Sequence, residues 1–151
     1  MVQAGSPVDD TIALLSQYMQ PEDILIDGGN EWFPNSQRRA TTLEATGIHF
    51  LGMGISGGEE GARNGPSLMP GGPRAAYDIC EPILAPCAAQ VADGACISYM
   101  GPIGSGNYVK MIHNGKCSFF MHSFMFSCMK SILILLQKHI LFVDFLLIII
   151  L

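Results

Sequence analysis

Three polar side chains near residue 110 have the spacing of one helix face. Lys110, His113 and Asn114 stand at positions i, i+3 and i+4, which lie on the same side of an α-helix, and Cys117 follows at i+7. A partly buried lysine can act as a general base near neutral pH, and histidine and asparagine can bind a substrate beside it. A solvated polar face on a surface helix has the same spacing, so the pattern alone leaves both interpretations open.

Two further segments place polar groups after short apolar runs. Asn30 ends the sequence Asp-Gly-Gly-Asn, and its amide can donate and accept at once, which suits a nicotinamide carboxamide or a sugar hydroxyl. A turn-forming asparagine is the simpler alternative. Ser56, Gly57 and Gly58 offer a hydroxyl and consecutive backbone N–H groups, which suit an anion or a polyol, although an ordinary flexible loop explains them equally well.

The residues from Gly52 to Gly57 have the G-x-G-x-x-G spacing of a dinucleotide-binding turn. That fingerprint requires a helix that begins at the third glycine and binds pyrophosphate at its N-terminus. The following residues, 58–66, are instead predicted to form a loop, and they include Glu59 and Glu60 where a phosphate would approach. We therefore expect that this run is not a dinucleotide fingerprint.

The elements that must position these residues alternate between helix and strand. Helices are predicted from an N-cap at Ser6 to Pro21, from about Asn35 to Thr46, from Pro73 onward, and around Tyr108–Asn114. Strands are predicted at Asp23–Asp27, Ile48–Leu51 and Ala95–Tyr99, with a Gly-rich stretch from Gly52 to Gly72. This alternation predicts an α/β fold with a parallel sheet, whose ligands bind at the carboxyl ends of the strands.

Composition divides the 151-residue chain into two parts. Residues 1–115 carry 12 acidic and 5 basic side chains, whereas residues 116–151 carry three lysines and one aspartate and contain no Gly, Ala, Pro, Glu, Arg or Thr. The net charge of −5 and the absence of a basic run exclude nucleic-acid binding through phosphate neutralisation. The five cysteines have no C-x-x-C spacing, which predicts free thiols in a reducing compartment and no metal site.

The last part of the chain, residues 131–151, is almost continuously apolar and long enough to span a bilayer. Lys138 and Asp144 fall near its middle and bring the free energy of insertion close to zero. A tail-anchored membrane protein is therefore one alternative. We expect instead that residues 116–151 are an unrelated hydrophobic tail, such as translated intron or a mis-predicted gene end, and that the chain does not associate with membranes.

Three strings within residues 2–115 resemble one enzyme family, 6-phosphogluconate dehydrogenase. They are Ile26–Asn30, Gly52–Gly72 and Tyr108–Gly115. The resemblance implies a Rossmann-like, doubly wound parallel sheet that lacks its first strands. It also implies NADP-dependent oxidative decarboxylation of 6-phosphogluconate to ribulose 5-phosphate, in the pentose phosphate pathway, with a cytoplasmic or plastid location.

The resemblance assigns expected roles residue by residue. Lys110 matches the general base that takes the proton from the 3-hydroxyl as hydride leaves C3. The substrate-binding positions of the family are matched by Asn30, Ser56, Gly57, Gly58, His113 and Asn114. The cofactor-binding positions are matched by Val2, Gln3, Ala4 and Asn30, although the family usually has lysine where this chain has Gln3.

Other features of the family are not matched. Its general acid is a glutamate, and Cys117 stands at that position; a thiol, with an ordinary pKa of about 8.5, is a poor substitute. The family's first strand with its Gly-rich turn, and its helical C-terminal domain with the dimer interface, find no counterpart. We therefore expect a partial NADP-binding domain at 1–115 that is inactive alone, with a non-catalytic sugar-acid-binding protein as the remaining alternative.

The composition of residues 116–151 generates a first prediction. Deleting this segment should increase the yield of soluble protein, because a long apolar run carrying four charges promotes aggregation when it is exposed. The measurement is the soluble fraction after expression of the full chain and of residues 1–115 under identical conditions. Equal soluble yields would contradict the prediction.

Overall fold

The computed structural model describes residues 1–116, so that Cys117 and the rest of the predicted tail lie outside the described residues. The helices are α1 (Ser6–Leu15), α2 (Phe33–Glu44), α3 (Gly58–Asn64), α4 (Arg74–Leu84) and α5 (residues 105–116), and a 3₁₀ turn, Ala85–Cys87, follows α4. The strands are β1 (Ile24–Asp27), β2 (His49–Ser56), β3 (Ser67–Gly71), β4 (Gln90–Val91) and β5 (Gly94–Ala95). The chain divides into two compact units, Met1–His113 and Asn114–Leu151, and all five of these strands belong to the first.

The main sheet has the order β1-β2-β3. Strands β1 and β2 are parallel, in a register that pairs Ile24 with His49 and Asp27 with Gly52. Strand β3 runs antiparallel to β2 and pairs Gly71 with Gly52. The predicted α/β fold with a parallel strand pair is therefore confirmed, and β3 is the antiparallel exception.

The Gly-rich segment from Gly52 to Gly72 contains regular elements that the sequence does not predict. Strand β2 continues through Ser56, helix α3 follows, and β3 ends at Gly71. Glycine is rare in strand interiors unless another backbone approaches closely, and that approach occurs here. The composition of the segment suggests flexibility, whereas in the fold its glycines provide space.

Other predicted bounds need smaller corrections. The N-cap of α1 is Gly5 and not Ser6, and α2 begins at Phe33, two residues before the predicted Asn35. The predicted strand Ala95–Tyr99 is reduced to the end of a short β4–β5 hairpin and one parallel bridge between Leu68 and Ile97. Backbone hydrogen bonds from Leu68 N to the Cys96 carbonyl and from Met100 N to the Pro70 carbonyl nevertheless keep this segment beside β3.

Strand β2 is the centre of the hydrophobic core. Phe50 packs with Ala40, Leu43 and Ile48 under α2, and Leu51, which is fully buried, packs with Ala76 and Cys80 of α4. Met53 joins Leu68 and Ala88 in a third cluster. Because successive strand residues point to opposite faces, β2 is covered on both sides. Each fully buried side chain of this size contributes about 1.5–3 kcal/mol to folding.

Helix α5 packs against the sheet at four glycines, which we call the glycine contact. Gly52, Gly54 and Gly71 belong to the strands, and Gly106 belongs to α5. A β-carbon on Gly106 would overlap the carbonyl oxygens of Met69 and Gly52, and one on Gly71 would overlap the backbone nitrogen of Gly106. A β-carbon on Gly54 would lie 2.8 Å from the Gly106 carbonyl oxygen. The backbone of α5 therefore rests directly on the backbone of the sheet.

The glycine contact predicts a large difference between two glycine-to-alanine substitutions on the same helix. Gly106→Ala should lower the free energy of unfolding by about 3 kcal/mol or more, because its methyl group meets backbone atoms that cannot move independently. Gly115→Ala should stabilise by up to about 1 kcal/mol, since its β-carbon meets nothing within 4 Å and alanine favours helix. Urea denaturation of both variants measures the difference; equal midpoints would contradict the contact.

Candidate functional site

The parallel pairing of β1 and β2 brings two predicted site segments to one edge of the sheet. Both strands end at this edge, so the turn Gly28-Gly29-Asn30 follows β1 there and Ser56 ends β2 there. Gly57 follows Ser56 as the N-cap of α3, and Gly58 is the first residue of that helix; their φ angles are 145° and 55°. Those angles favour glycine. The turn with Asn30 and the residues 56–58 thus follow neighbouring strands at the same edge.

The glycine contact also determines where Lys110 lies. The Cβ of Lys110 is 2.6 Å from the position that a β-carbon on Gly54 would occupy, and Gly54 is two residues before Ser56 on β2. Lys110 is half-buried, and His113 is exposed one turn further along α5. The helix therefore carries the predicted base over the carboxyl-terminal half of β2. Asn114 is the first residue of the second unit, and Cys117 lies outside the described residues.

A buried amide that sequence reasoning missed ties α5 to the turn after β1. Asn107 is 1% exposed. Its Oδ1 accepts a hydrogen bond of 2.9 Å from the Ser36 hydroxyl, and its Nδ2 lies 3.4 Å from the Gly29 carbonyl oxygen, to which it donates. Asn107 precedes Lys110 by one helical turn, and Gly29 directly precedes Asn30. The only sequence signal was its position at i−3 from Lys110, on the same helix face.

The predicted cofactor segment lies beside the same turn. Val2, Gln3 and Ala4 are exposed residues ahead of α1. A β-carbon on Gly29 would lie 3.5 Å from the Val2 carbonyl oxygen, and one on Gly28 would lie 3.3 Å from Met1 Cγ. The chain before α1 and the turn that carries Asn30 are therefore neighbours.

A network of charged side chains, also missed from the sequence, lies next to the turn that carries Asn30 and the chain before α1. Arg39 is 2% exposed. Its guanidinium donates to the Glu31 carboxylate at 2.6 Å, to the Asp9 carboxylate at 2.9 and 3.0 Å, and to the Gly5 carbonyl oxygen at 2.9 Å. The carboxylate of Asp27 lies 3.9 Å from the same guanidinium. No sequence pattern signals this network, because its members come from four separate segments.

The network changes the titration of its carboxylates. Burial raises the pKa of Glu31, but hydrogen bonds from Gly5 N–H, Arg39, Asn35 and Trp32 N–H outweigh burial and lower the pKa from 4.5 to about 2. The hydrogen bond from Arg39 is the main reason that the pKa of Asp9 falls from 3.8 to about 2. Both carboxylates therefore stay ionised well into acid.

Three clefts on the described surface do not include Lys110 or Asn30. One of about 130 Å³ is lined by residues that include Met1, Val2 and Asp27, next to the predicted cofactor segment. The other two, of about 230 and 270 Å³, lie at the amino-terminal side of β2 and between α1 and α2.

Within residues 1–116 there is no group of three or more His, Cys, Asp or Glu side chains that could hold a metal ion. Cys80, Cys87 and Cys96 are free thiols. No helix in this described range has the length and apolar character needed to cross a membrane. The tail-anchor alternative concerns residues outside that range.

The G-x-G-x-x-G run needs a corrected explanation. A helix does begin directly after Gly57, so the loop expected at 58–66 is wrong. Gly52 and Gly54 are nevertheless paired strand residues within β2, and α5 rests on both of them. The first two glycines therefore admit a helix to the face of the sheet and do not form a turn around a phosphate.

A family model described as the NAD binding domain of 6-phosphogluconate dehydrogenase matches residues 1–101, which is more than half of the chain. The chain belongs to the 6-phosphogluconate dehydrogenase family. It is 61% identical over 115 residues to "6-phosphogluconate dehydrogenase, decarboxylating 3, chloroplastic" of Arabidopsis thaliana, a match that covers 76% of this chain and 24% of that protein. A Synechococcus elongatus enzyme, "6-phosphogluconate dehydrogenase, decarboxylating", is 59% identical with the same coverage.

Comparison with solved structures supports the same family assignment. Plasmodium falciparum 6-phosphogluconate dehydrogenase, described in its apo form, with NADP+ and with 6-phosphogluconate, superposes with a TM-score of 0.73 at 50% identity, over 76% of this chain and 25% of that one. A 3-hydroxyisobutyrate dehydrogenase from Salmonella typhimurium shares 23% identity over 74% of this chain and 38% of its own, with a TM-score of 0.64, which shows the fold alone. The chain spans about a quarter of the length of the family members it matches.

These comparisons confirm two predictions. The resemblance to 6-phosphogluconate dehydrogenase is confirmed, and so is the Rossmann-like α/β fold. The roles of the individual site residues, and the division into a partial binding domain and a tail, stay predictions.

The carboxylates of the charge network predict how stability depends on pH. In the folded chain the pKa values of Glu31 and Asp9 are about 2, whereas their ordinary values are 4.5 and 3.8. The unfolded chain therefore binds more protons in acid, and stability present above about pH 4.5 should be lost as the pH falls toward about 2. Glu31→Gln should flatten this dependence, measured as urea midpoints across the acid range.

Glu59→Gln is the matched control, because it removes a carboxylate from an ion pair with Arg63 in which both side chains are largely exposed. It should leave the slope of stability against pH unchanged. If Glu31→Gln and Glu59→Gln gave the same slope as the parent chain, the network would not determine the acid sensitivity.

Proposed function

We propose that residues 1–115 form part of the active site of an NADP-dependent 6-phosphogluconate dehydrogenase, a decarboxylating oxidoreductase that yields ribulose 5-phosphate. The observation that carries the proposal is the placement of Lys110 over the carboxyl end of β2 by the glycine contact. That end is the same sheet edge at which Asn30 and Ser56 lie. Residues 116–151 are, on this proposal, a segment unrelated to the family.

The substrate would meet three sets of groups at this edge. Ser56 offers a half-buried hydroxyl, and the exposed backbone at Gly57 and Gly58 has no side chain to obstruct a sugar acid. Asn30 and His113 supply polar side chains from the turn after β1 and from α5. Asn114 is assigned to substrate binding through its position next to His113 in the sequence.

The nicotinamide end of NADP fits the groups present beside Asn30. A neutral carboxamide needs a donor and an acceptor together, which the Asn30 amide and the exposed backbone of residues 2–4 provide. When bound, NADP supplies the acceptor for the hydride that leaves C3 of the substrate. Gln3 brings an uncharged amide to this segment, in the position where the family usually has lysine.

Lys110 performs the proton transfer in this proposal. Its Nζ takes the proton from the 3-hydroxyl, so that the electron pair of the O–H bond can form the carbonyl as hydride departs from C3. The neutral amine is the form that can accept this proton, and a half-buried stem over Gly54 limits the directions in which it can point. The family's glutamate that acts as general acid has no equivalent here, because Cys117 stands at that position.

The relatives also bear on the proposed location and assembly. They include chloroplast proteins of Arabidopsis thaliana and a cyanobacterial protein, which supports a cytoplasmic or plastid location. Homo-oligomer formation, which the family resemblance implies, is carried by regions that this chain does not match.

A chimera tests the assignment of Lys110. Residues 1–115 would replace the matched segment of the Synechococcus elongatus enzyme, so that the family's other segments and its glutamate are present. The parent chimera should reduce NADP in the presence of 6-phosphogluconate. Lys110→Met should lower kcat by about 10²–10⁴, the usual effect of losing a general base, while the affinity for NADP changes little.

Lys110→Arg separates the role of a base from the role of a charge. Arginine keeps the positive charge but does not lose its proton in proteins. The variant should therefore be as inactive as Lys110→Met while it still binds 6-phosphogluconate. Activity of Lys110→Arg close to that of the parent would show that the charge and not the proton transfer is required, and an inactive parent chimera would contradict the proposed function itself.

A further inference from the structure

We infer that Arg39 and Glu31 are positioning residues of this site, which hold the chain segment 2–5 against the turn that carries Asn30. The inference rests on the proposed function, because it assigns these two side chains to the alignment of the groups beside the nicotinamide. Both residues are proposed to act through the backbone that they hold, and not through contact with the substrate or the cofactor.

Both backbone polar groups of Gly5 are held by these side chains. Gly5 N–H donates to Glu31 Oε2 at 2.9 Å, and the Gly5 carbonyl oxygen accepts from Arg39 Nη2 at 2.9 Å. Gly5 directly follows the exposed segment of residues 2–4. That segment therefore ends at a residue whose N–H and carbonyl group are both attached to α2 and the turn before it.

Glu31 connects this attachment to Asn30, its neighbour in the chain. Its side chain is 3% exposed and accepts three further hydrogen bonds, from Arg39 Nη1 at 2.6 Å, Trp32 N–H at 2.9 Å and Asn35 Nδ2 at 3.0 Å. A buried carboxylate with four donors cannot rotate without leaving charged groups unpaired, which is costly. The backbone of Glu31, and with it Asn30, is restrained.

Arg39 also connects Gly5 with the turn that carries Asn30. Its planar guanidinium donates at once to Glu31, Gly5 and Asp9 of α1. A lysine ammonium cannot reach three separate acceptors in the geometry of a planar fork. The same guanidinium lies 3.9 Å from Asp27, where the turn toward Asn30 begins. The network therefore contacts the turn at both ends.

Arg38 provides a matched control in the neighbouring position. It shares Asp9 with Arg39, through contacts of 2.8 and 3.0 Å, but its side chain is 56% exposed. The contacts to Gly5 and Glu31 belong to Arg39. Arg38→Lys and Arg39→Lys thus make the same change beside the same carboxylate. Only Arg39→Lys disrupts the hydrogen bonds to Gly5 and Glu31.

The first measurement is amide hydrogen exchange in the full chain without ligand. Arg39→Lys should increase exchange at the amides of Gly5 and Trp32, both donors to Glu31, by roughly tenfold, as expected for weakened hydrogen bonds to a charged group. Arg38→Lys should leave both rates unchanged. The amide of Tyr77 in α4 reports global opening, and its exchange should change much less than that of Gly5 and Trp32 in either variant. Unchanged exchange at Gly5 and Trp32 in Arg39→Lys would overturn the inference.

Glu31→Gln is the second variant, because it keeps the side-chain volume and one acceptor and cannot fail for lack of space. It should increase exchange at the same two amides. If Arg39→Lys does not fold, Glu31→Gln decides the result alone. Exchange that rises equally at Tyr77 would show a general loss of stability and would also overturn the inference.

The second measurement separates positioning from a purely structural role. In the active chimera, Arg39→Lys should raise KM for NADP several-fold relative to Arg38→Lys, because the segment beside the nicotinamide is no longer aligned. If hydrogen exchange changes but KM for NADP does not, the contacts of Arg39 and Glu31 with Gly5 are structural only. That result would overturn the positioning role. A parent chimera without activity would contradict the proposed function instead, and the exchange measurements would then decide this inference.

Discussion

The direct contact between the backbone of α5 and the backbone of the sheet is the constraint on which the site depends. Four glycines make it possible, and any side chain among them would push the helix outward. Because Gly106 rests on Gly52, the next turn of α5 brings Lys110 over Gly54. Backbone contact leaves Lys110 fewer ways to move than flexible side chains would, which suits the proton transfer that we propose for it.

The turn after β1 is held from two directions. Asn107 of α5 donates to the Gly29 carbonyl oxygen, and the charge network of Arg39 and Glu31 attaches the residue after Asn30 to Gly5. Asn107 thereby fixes the position of the turn relative to the helix of Lys110. Arg39 and Glu31 fix it relative to the segment of residues 2–4. Asn30, which we propose to contact both substrate and cofactor, lies between these attachments.

The two attachments consist of different kinds of interaction, and they therefore respond differently to pH. The contact of α5 consists of close packing and a neutral amide, which do not depend on pH. The network at Gly5 consists of ionised groups with hydrogen bonds, and acid removes it by protonation of Glu31 and Asp9. Acid is thus expected to loosen the segment of residues 2–4 before it disturbs the position of Lys110.

Local patterns determined much of this protein. The helical spacing of Lys110 and His113, the apolar strand before Asp27 and the long Gly-rich string identified the α/β fold, the family and the candidate residues, because each signal lies within one short segment. Tertiary structure alone decided why the glycines are there: Gly52, Gly54 and Gly71 belong to strands on which another backbone rests. It also decided the partners of Arg39 and Asn107, since a buried charge or amide is satisfied by groups from distant segments, and contacts of that kind leave no periodicity in the sequence.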